Sequence, residues 1–231
     1  SGMENHSKYG EGIYYNGADG SLFVNLFIPS VLNWREKKIK LIQEHNFPES
    51  DSLQFIIETK TAKSFALRIR KPYWAKNAVL RINNIPTEII TDSSGFITIH
   101  RKWKNRDRVT LGLPKFLHTH SMPDNKDRIA LMYGPLVLAG NLGTEMPDPV
   151  FGSPVLLTAD KNVNNWIQPV AGKPLHFTLN GVGKPKDVEL IPFFKMYKEY
   201  YSVYWDFFTP ADWTARQAEY EAEKKRQQSI A

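Results

Sequence analysis

Short segments in which apolar and polar residues alternate, separated by turn residues, constrain the fold of this chain most strongly. At residues 65–70, for example, Phe65, Leu67 and Ile69 are separated by Ala66 and Arg68. Alternation of this kind places the apolar side chains on one face of a strand. Similar segments recur through the first 140 residues or so, and no helical period competes with them there. The pattern predicts a mainly β fold built from antiparallel β-sandwich domains.

The predicted strands are short, and turn signals such as Asp19-Gly20 separate them. In the first part of the chain they cover residues 22–28, 39–43, 53–59, 65–70, 78–82, 96–100, 109–113 and 129–132. In the second part they cover residues 155–157, 175–179, 188–191 and 200–205. Thr209 as N-cap, Pro210 at the first helical position and Asp212 as the capping-box acid then predict a surface helix. It should run to about Gln228.

Changes in residue composition and in the strand and helix patterns along the chain predict three regions. Residues 1–17 are expected to be the stub of a preceding domain, with the end of a helix over residues 3–9. Residues 18–140 are expected to form a β-sandwich domain. A connector rich in proline and glycine follows, and residues 141–231 should form a second, smaller β-rich domain that ends in the helix.

Composition excludes several classes of function. The net charge of +6 arises from 30 basic and 24 acidic residues. Because these are mixed along the sequence, they favour a solvated surface over a nucleic-acid patch. The chain has no cysteine, so it carries no thiolate metal site and no cysteine nucleophile. We expect no membrane span, since no apolar run approaches the ~18 residues that one needs. The first residues also lack the apolar segment of a signal peptide.

Exposed aromatic side chains are the candidates for contact with sugars. Trp34, Tyr73, Trp74 and Trp103 could each offer a flat apolar platform to a sugar ring. The alternative is that these side chains belong to the core or to a contact between domains, as large aromatics more often do. Residues 101–107 are expected to form a hairpin in which Trp103 packs back on the sheet.

No catalytic constellation is evident. Two histidines, His118 and His120, would share one face of a strand, a spacing found in metal sites. No third ligand accompanies them, and a polar sheet face is the alternative. A glycosidase needs two carboxylates placed across a cleft. The acids considered for that role are expected to be ordinary turn or surface residues, and they are Glu4, Glu11, Asp19 and Asp107.

Several segments, read in order, resemble glycoside hydrolase family 127, whose members are β-L-arabinofuranosidase-like enzymes. Residues 4–11 (ENHSKYGE), 22–30 (LFVNLFIPS) and 32–34 (LNW) fit its pattern, as do residues 67–75 (LRIRKPYWA). The likeness continues through Gly95, Arg101, Trp103 and Asp107 and through residues 133–140 (YGPLVLAG). It extends to residues 192–195 (PFFK) and 201–205 (YSVYW).

The resemblance implies an (α/α)6 catalytic barrel followed by β-sandwich domains, with a cysteine nucleophile held in a zinc site. In the family a Cys-Cys pair stands just before the segment that corresponds to residues 4–10, so no catalytic or zinc-binding residue can be assigned to a position here. We therefore expect this chain to be inactive alone. Zinc is implied only for the missing barrel, and a periplasmic or secreted location is favoured.

Three functions remain open from the sequence. The chain could be a non-catalytic accessory region that supports the catalytic barrel, and it could also make a homodimer contact. It could instead be a carbohydrate-binding module that uses the aromatic platforms. A stand-alone enzyme that uses carboxylates and a metal at His118 and His120 is the third possibility.

Overall fold

The computed structural model describes residues 8–147 and 154–229. The chain divides into two compact units, Ser1–Lys115 and Phe116–Ala231. The predicted helix end at residues 3–9 lies mostly outside the described residues. From Tyr9 to Gly12 the chain forms a short 3-10 helix.

The first unit is built from ten strands. In chain order they are β1 (Tyr14–Asn16), β2 (Leu22–Val24), β3 (Ser30–Trp34), β4 (Ile39–Glu44), β5 (Ser52–Thr59), β6 (Lys63–Arg70), β7 (Val79–Ile82), β8 (Ile85–Thr87), β9 (Phe96–Trp103) and β10 (Asp107–Gly112). One sheet has the order β1-β2-β6-β9 and the other β3-β4-β5-β10-β7-β8. All neighbouring strands are antiparallel except β2 and β6, which run parallel.

One hydrophobic core joins the two sheets of the first unit. The alternation in β6 has the predicted effect, since Phe65, Leu67 and Ile69 are buried and Arg70 is exposed. Side chains from both sheets form the same buried cluster, including Leu67 from the first sheet and Phe55 from the second. Two sheets that share one core in this way form a sandwich, as the alternating pattern predicts.

The second unit contains one ten-stranded sheet. Its strands are β11 (Leu117–Ser121), β12 (Arg128–Tyr133), β13 (Leu136–Gly143), β14 (Val155–Leu157), β15 (Ile167–Pro169), β16 (Phe177–Leu179), β17 (Gly183–Lys184), β18 (Glu189–Pro192), β19 (Tyr200–Ser202) and β20 (Trp205–Phe208). Their order is β15-β16-β18-β13-β12-β20-β14-β17, with β11 paired to β12 and β19 to β13. Short 3-10 helices span Val163–Asn165 and Phe193–Lys195.

Helix α1 (Pro210–Gln228) follows the last strand. Its N-terminus is capped as predicted, because Thr209 Oγ1 accepts a hydrogen bond from the backbone N–H of Asp212 and donates one to its carboxylate. Most of the described side chains of the helix are exposed, which confirms a surface helix. Across residues 8–147 and 154–229, no helix combines the length and apolar character that a membrane crossing requires.

The predicted fold class is confirmed, and several details differ from the prediction. The structure divides the chain after Lys115, whereas the expected boundary at residues 140 and 141 falls inside β13. β13 pairs with β12, which precedes the expected boundary, and with β18, which follows it, so one sheet extends across that boundary. The predicted strand at 200–205 is two strands, β19 and β20.

The expected hairpin at residues 101–107 is also corrected. β9 belongs to the four-stranded sheet and β10 to the six-stranded sheet, so residues 104–106 form a crossover loop between the two sheets. Trp103 is fully buried at the start of this crossover loop, between the sheets that the loop connects.

Gly140 offers a test of packing in the second unit. A Cβ atom at this position would lie 2.5 Å from two ring carbons of Trp205, which is fully buried. We expect Gly140→Ala to lower the free energy of unfolding of this unit by about 1–3 kcal/mol, because the indole has no room to move. Urea denaturation followed by tryptophan fluorescence and circular dichroism measures the change.

Gly10→Ala is the control for this experiment, because a Cβ at Gly10 meets no atom within 4 Å. Equal stability of the Gly140→Ala variant and the native chain would contradict the packing that we describe around Trp205.

Candidate functional site

Three of the four aromatic candidates for sugar contact lie in the core of the first unit. Trp34, Trp74 and Trp103 are 6%, 5% and 0% exposed, and all three belong to the buried cluster. Their role as exposed platforms is therefore corrected, because the core takes up these large apolar rings. Tyr73 is different, since 78% of it is exposed, and its contact with sugar stays a prediction.

The two histidines do not gather further ligands. His118 Nε2 lies 3.0 Å from the carbonyl oxygen of Gly134, and His120 is exposed on the same strand, β11. Within residues 8–147 and 154–229, no group of three or more histidine, aspartate or glutamate side chains is placed to hold a metal ion. The described part of the chain therefore gives these histidines no metal-binding partner.

Asp19 takes part in local structural hydrogen bonds, and Glu11 lies on the surface. Asp19 accepts hydrogen bonds from the backbone N–H and hydroxyl of Ser21, and Arg68 donates to it at 2.7 Å. These bonds hold the pKa of Asp19 below its usual value, the hydrogen bond from the Ser21 hydroxyl first among them. Glu11 is exposed in the 3-10 helix, and Glu4 lies outside the described residues.

A solvent-open cleft of about 760 Å³ lies at one end of the first sandwich. Three segments that are distant in sequence line it: the β3–β4 turn, the end of β5 with the residue after it, and the crossover loop. We call it the basic cleft. Its lining residues are Asn33, Trp34, Arg35, Lys38, Ile39, Lys40, Glu58, Thr59, Lys60, Asn105 and Arg106.

The crossover loop is fixed to the end of β5 by two hydrogen bonds. The backbone N–H of Arg106 donates to the carbonyl of Ile57 at 2.8 Å, and Asn105 Oδ1 accepts from the backbone N–H of Thr59 at 3.1 Å. Arg106 has a φ of +67°, a conformation that non-glycine residues rarely adopt. These contacts place Asn105 and Arg106 on the wall of the basic cleft.

Asp107 anchors the same loop from inside the protein. It is only 5% exposed, and its carboxylate accepts hydrogen bonds at 2.8 Å from the backbone N–H of Lys104 and from the side-chain amide of Asn83. Arg101 Nε lies 3.5 Å from the same carboxylate. Burial alone would raise the pKa of Asp107, but these hydrogen bonds and the nearby Arg101 charge hold it below the usual value of 3.8.

The basic cleft is strongly positive. Five of its lining side chains are cationic, namely Arg35, Lys38, Lys40, Lys60 and Arg106, and one is acidic, Glu58. Glu58 lies 3.5 Å from Lys40 and 3.6 Å from Arg106, so its single charge is divided between two cations. The lining therefore keeps a balance of +4, in a chain whose net charge is +6.

A second cleft of about 320 Å³ adjoins the first and shares Asn33, Trp34 and Arg35 with it. We call it the tyrosine cleft, since Tyr14 and Tyr15 lie in its wall with Asn16, Leu32 and Glu36. The buried Trp34 Nε1 has no hydrogen-bond partner among the described residues. A buried donor without a partner is costly to the fold.

Sequence reasoning missed both clefts. Their residues come from segments up to about 70 positions apart, and only the sheet register brings these segments together. One local signal was available, since residues 35–38 read Arg-Glu-Lys-Lys at the turn before a predicted strand.

Comparison with known families gives two matches. Residues 21–115 match the family model described as beta-L-arabinofuranosidase, GH127 middle domain. Residues 146–207 match a domain of unknown function, DUF4986. No curated protein matches the chain.

Solved structures share the fold. A GH127 beta-L-arabinofuranosidase from Geobacillus stearothermophilus T6 is 20% identical with a TM-score of 0.67, over 87% of this chain and 36% of that one. The GH127 beta-arabinofuranosidase BT3674 is 20% identical with a TM-score of 0.64, over 86% and 37%. A further glycoside hydrolase is 18% identical with a TM-score of 0.61, over 84% and 37%. This chain thus spans little more than a third of each structure, and at these identities the likeness establishes the fold.

Asp107 provides a test of the anchored crossover. At pH 6 we expect Asp107→Asn to lower the free energy of unfolding of the first unit by about 1–3 kcal/mol, because a buried charge-assisted network is broken. The depressed pKa means that the carboxylate stabilises the fold fully above pH 3.8, and that this contribution is lost as the pH falls below that value. The difference between variant and native chain should therefore shrink at pH 3.

Urea denaturation at the two pH values measures this difference. Glu88→Gln is the control, because Glu88 is an exposed acid of the same unit. A difference that is the same at pH 3 and pH 6 would show that the charge of Asp107 does not stabilise the loop.

Proposed function

We propose that the chain is a non-catalytic accessory region of a glycoside hydrolase, because residues 21–115 match the family model described as the GH127 middle domain. In this proposal it supports a catalytic barrel that acts on arabinofuranose-like sugars of plant type. The match to the middle-domain model is the observation that carries the proposal. The cysteine nucleophile and the zinc ion that the family resemblance implies would then belong to the barrel.

An exposed aromatic segment in the second unit supports a contact with another domain. Within residues 193–204 six aromatic side chains are at least two-fifths exposed: Phe193, Phe194, Tyr197, Tyr200, Tyr201 and Tyr204. The rings of Phe193 and Tyr201 pack together with their centroids 5.3 Å apart. Clusters of exposed aromatic side chains are typical of interaction surfaces, and tyrosine is enriched in such interfaces.

The fold explains why this segment is displayed. The 3-10 helix Phe193–Lys195 follows β18 directly, and β19 pairs with the far end of β13. Both elements are therefore attached through β18 and β19 to β13, a strand in the middle of the sheet. Other residues, such as Leu138 and Trp205, form the core of the unit. The aromatic segment is thus free to contact a partner without unfolding the unit.

The first test of the accessory role is binding to the barrel. If the proposal holds, the coding sequence upstream of Met3 encodes a helical barrel with the Cys-Cys pair. That barrel, produced separately, should bind this chain and melt at a higher temperature in its presence. Isothermal titration calorimetry and differential scanning fluorimetry measure the two effects. A barrel that neither binds the chain nor gains stability would refute the proposal.

The aromatic segment gives a residue-level test of the same contact. Tyr197→Ser with Tyr204→Ser should weaken binding of the barrel by about 30-fold or more, since aromatic hot spots contribute about 2 kcal/mol or more. The melting temperature of the chain alone should not change, because both rings are exposed. The matched control is Ile85→Ser with Ile90→Ser, two exposed apolar residues of the first unit. Equal weakening by both pairs would contradict a specific role for the segment.

A carbohydrate-binding module is the second candidate, and Tyr73 favours it. The turn before the buried Trp74 is closed by a hydrogen bond of 3.0 Å from the N–H of Ala75 to the carbonyl of Pro72. This hydrogen bond fixes the backbone of the turn that carries the exposed Tyr73. Pre-organised aromatic rings suit weak stacking against sugars.

Neutral arabino-oligosaccharides test this second candidate. We expect them to shift NMR signals of residues 72–75 with a Kd in the mM range (about −4 kcal/mol), and Tyr73→Ala should abolish the shifts. The absence of shifts in this turn at saturating sugar would rule out the platform.

A further inference from the structure

The basic cleft and the tyrosine cleft together form a groove along one edge of the first sandwich. The clefts share Asn33, Trp34 and Arg35, and β3, which carries two of these residues, is the edge strand of its sheet. The smaller cleft adds Tyr14 and Tyr15 from β1, the edge strand of the other sheet. A groove of this kind accommodates an extended ligand of several units.

We propose that this groove binds an acidic oligosaccharide, a chain of uronic acid residues whose carboxylates pair with the cations of the basic cleft. The proposal is independent of the accessory role. Its groups are distinct from Tyr73, and it needs no catalytic barrel.

The charges of the groove select an anionic ligand. Arg35, Lys38 and Lys60 are exposed, whereas Glu58 lies beside Lys40 and Arg106. With Glu36 of the tyrosine cleft, the groove has two lining carboxylates against five cations. Concentration of like charge in a cleft raises the local potential and attracts anions. Guanidinium groups such as that of Arg35 can in addition bind a carboxylate through two parallel hydrogen bonds.

The neutral groups of the groove suit hydroxyl-bearing sugars. Asn105 uses its side-chain oxygen to accept from Thr59, which leaves its amide N–H groups to face a ligand. Tyr15 is half exposed and offers a ring face to a sugar.

The spacing of charge favours carboxylates over the phosphates of a nucleic acid. Glu58 lies within the lining itself and would repel a closely spaced polyphosphate. A uronic acid chain carries one charge per ring, so it can place neutral hydroxyl groups beside Glu58. The groove therefore combines five cations with amides, two phenol rings and two acids, a mixture that matches a carboxylated glycan.

Calorimetric titration of the full chain with an oligogalacturonate of four to six units tests the proposal. The titration is run at low salt and again at 200 mM NaCl. We expect binding at low salt that weakens at higher salt, because exposed ion pairs are screened. A neutral oligogalactoside of the same length should bind at least about tenfold more weakly, since a charge-assisted hydrogen bond contributes about 1.5–3 kcal/mol.

Paired variants locate the site. Arg35→Gln with Lys60→Gln should weaken oligogalacturonate binding by about tenfold or more, by loss of two charge-assisted contacts. The control, Arg70→Gln with Lys102→Gln, removes the same charge from exposed residues of the other sheet and should leave the affinity unchanged. Circular dichroism melts of both variants establish that each remains folded.

Three results would overturn the proposal: no oligogalacturonate binding at low salt, equal affinity for the neutral oligomer, or equal weakening in the control variant. A single-stranded oligodeoxynucleotide that binds more tightly than the oligogalacturonate and displaces it would also overturn it, since the groove would then recognise phosphate. None of these outcomes bears on binding of the chain to a catalytic barrel.

Discussion

The first sandwich depends on the anchoring of the strand crossover that joins its two sheets. Trp103 fills the core at the start of this crossover and donates a hydrogen bond to the carbonyl of Phe65 at 3.1 Å. Four residues later, the buried carboxylate of Asp107 closes the loop on the N–H of Lys104. The hydrophobic effect holds the indole inside, and the hydrogen bonds fix the direction in which the chain leaves.

The same crossover explains why a cleft forms at this end of the sandwich. Once Asp107 and Ile57 hold the ends of the loop, Asn105 and Arg106 have no core to enter and stand beside the β3–β4 turn. Charged side chains lie there because turns and loops run over the surface, where charged residues remain in contact with water. The groove is thus a consequence of how the sheets are joined, and its exposed cations Arg35, Lys38 and Lys60 lie outside the core.

The strands could be predicted from sequence because alternation is a local signal. Strand β6 shows this most clearly, with Phe65, Leu67 and Ile69 buried as expected. The crossover could not be predicted in the same way, since a hairpin and an inter-sheet connection have the same local pattern at residues 101–107. Only the pairing of β9 with β6 and of β10 with β5 distinguishes them. The basic cleft depends on that long-range pairing and was missed for the same reason.

The residues that carry the family resemblance are therefore informative about folding more than about binding. Trp34, Trp74 and Trp103 lie in the core, Asp107 is a buried anchor, and Gly140 leaves room for the ring of Trp205. Each position is restricted by packing, whichever ligand the domain meets. Arg35, Lys38 and Lys60, by contrast, lie on exposed segments where packing imposes no choice of residue. Among domains that share this fold, differences in ligand preference should accordingly arise at the β3–β4 turn and just after β5.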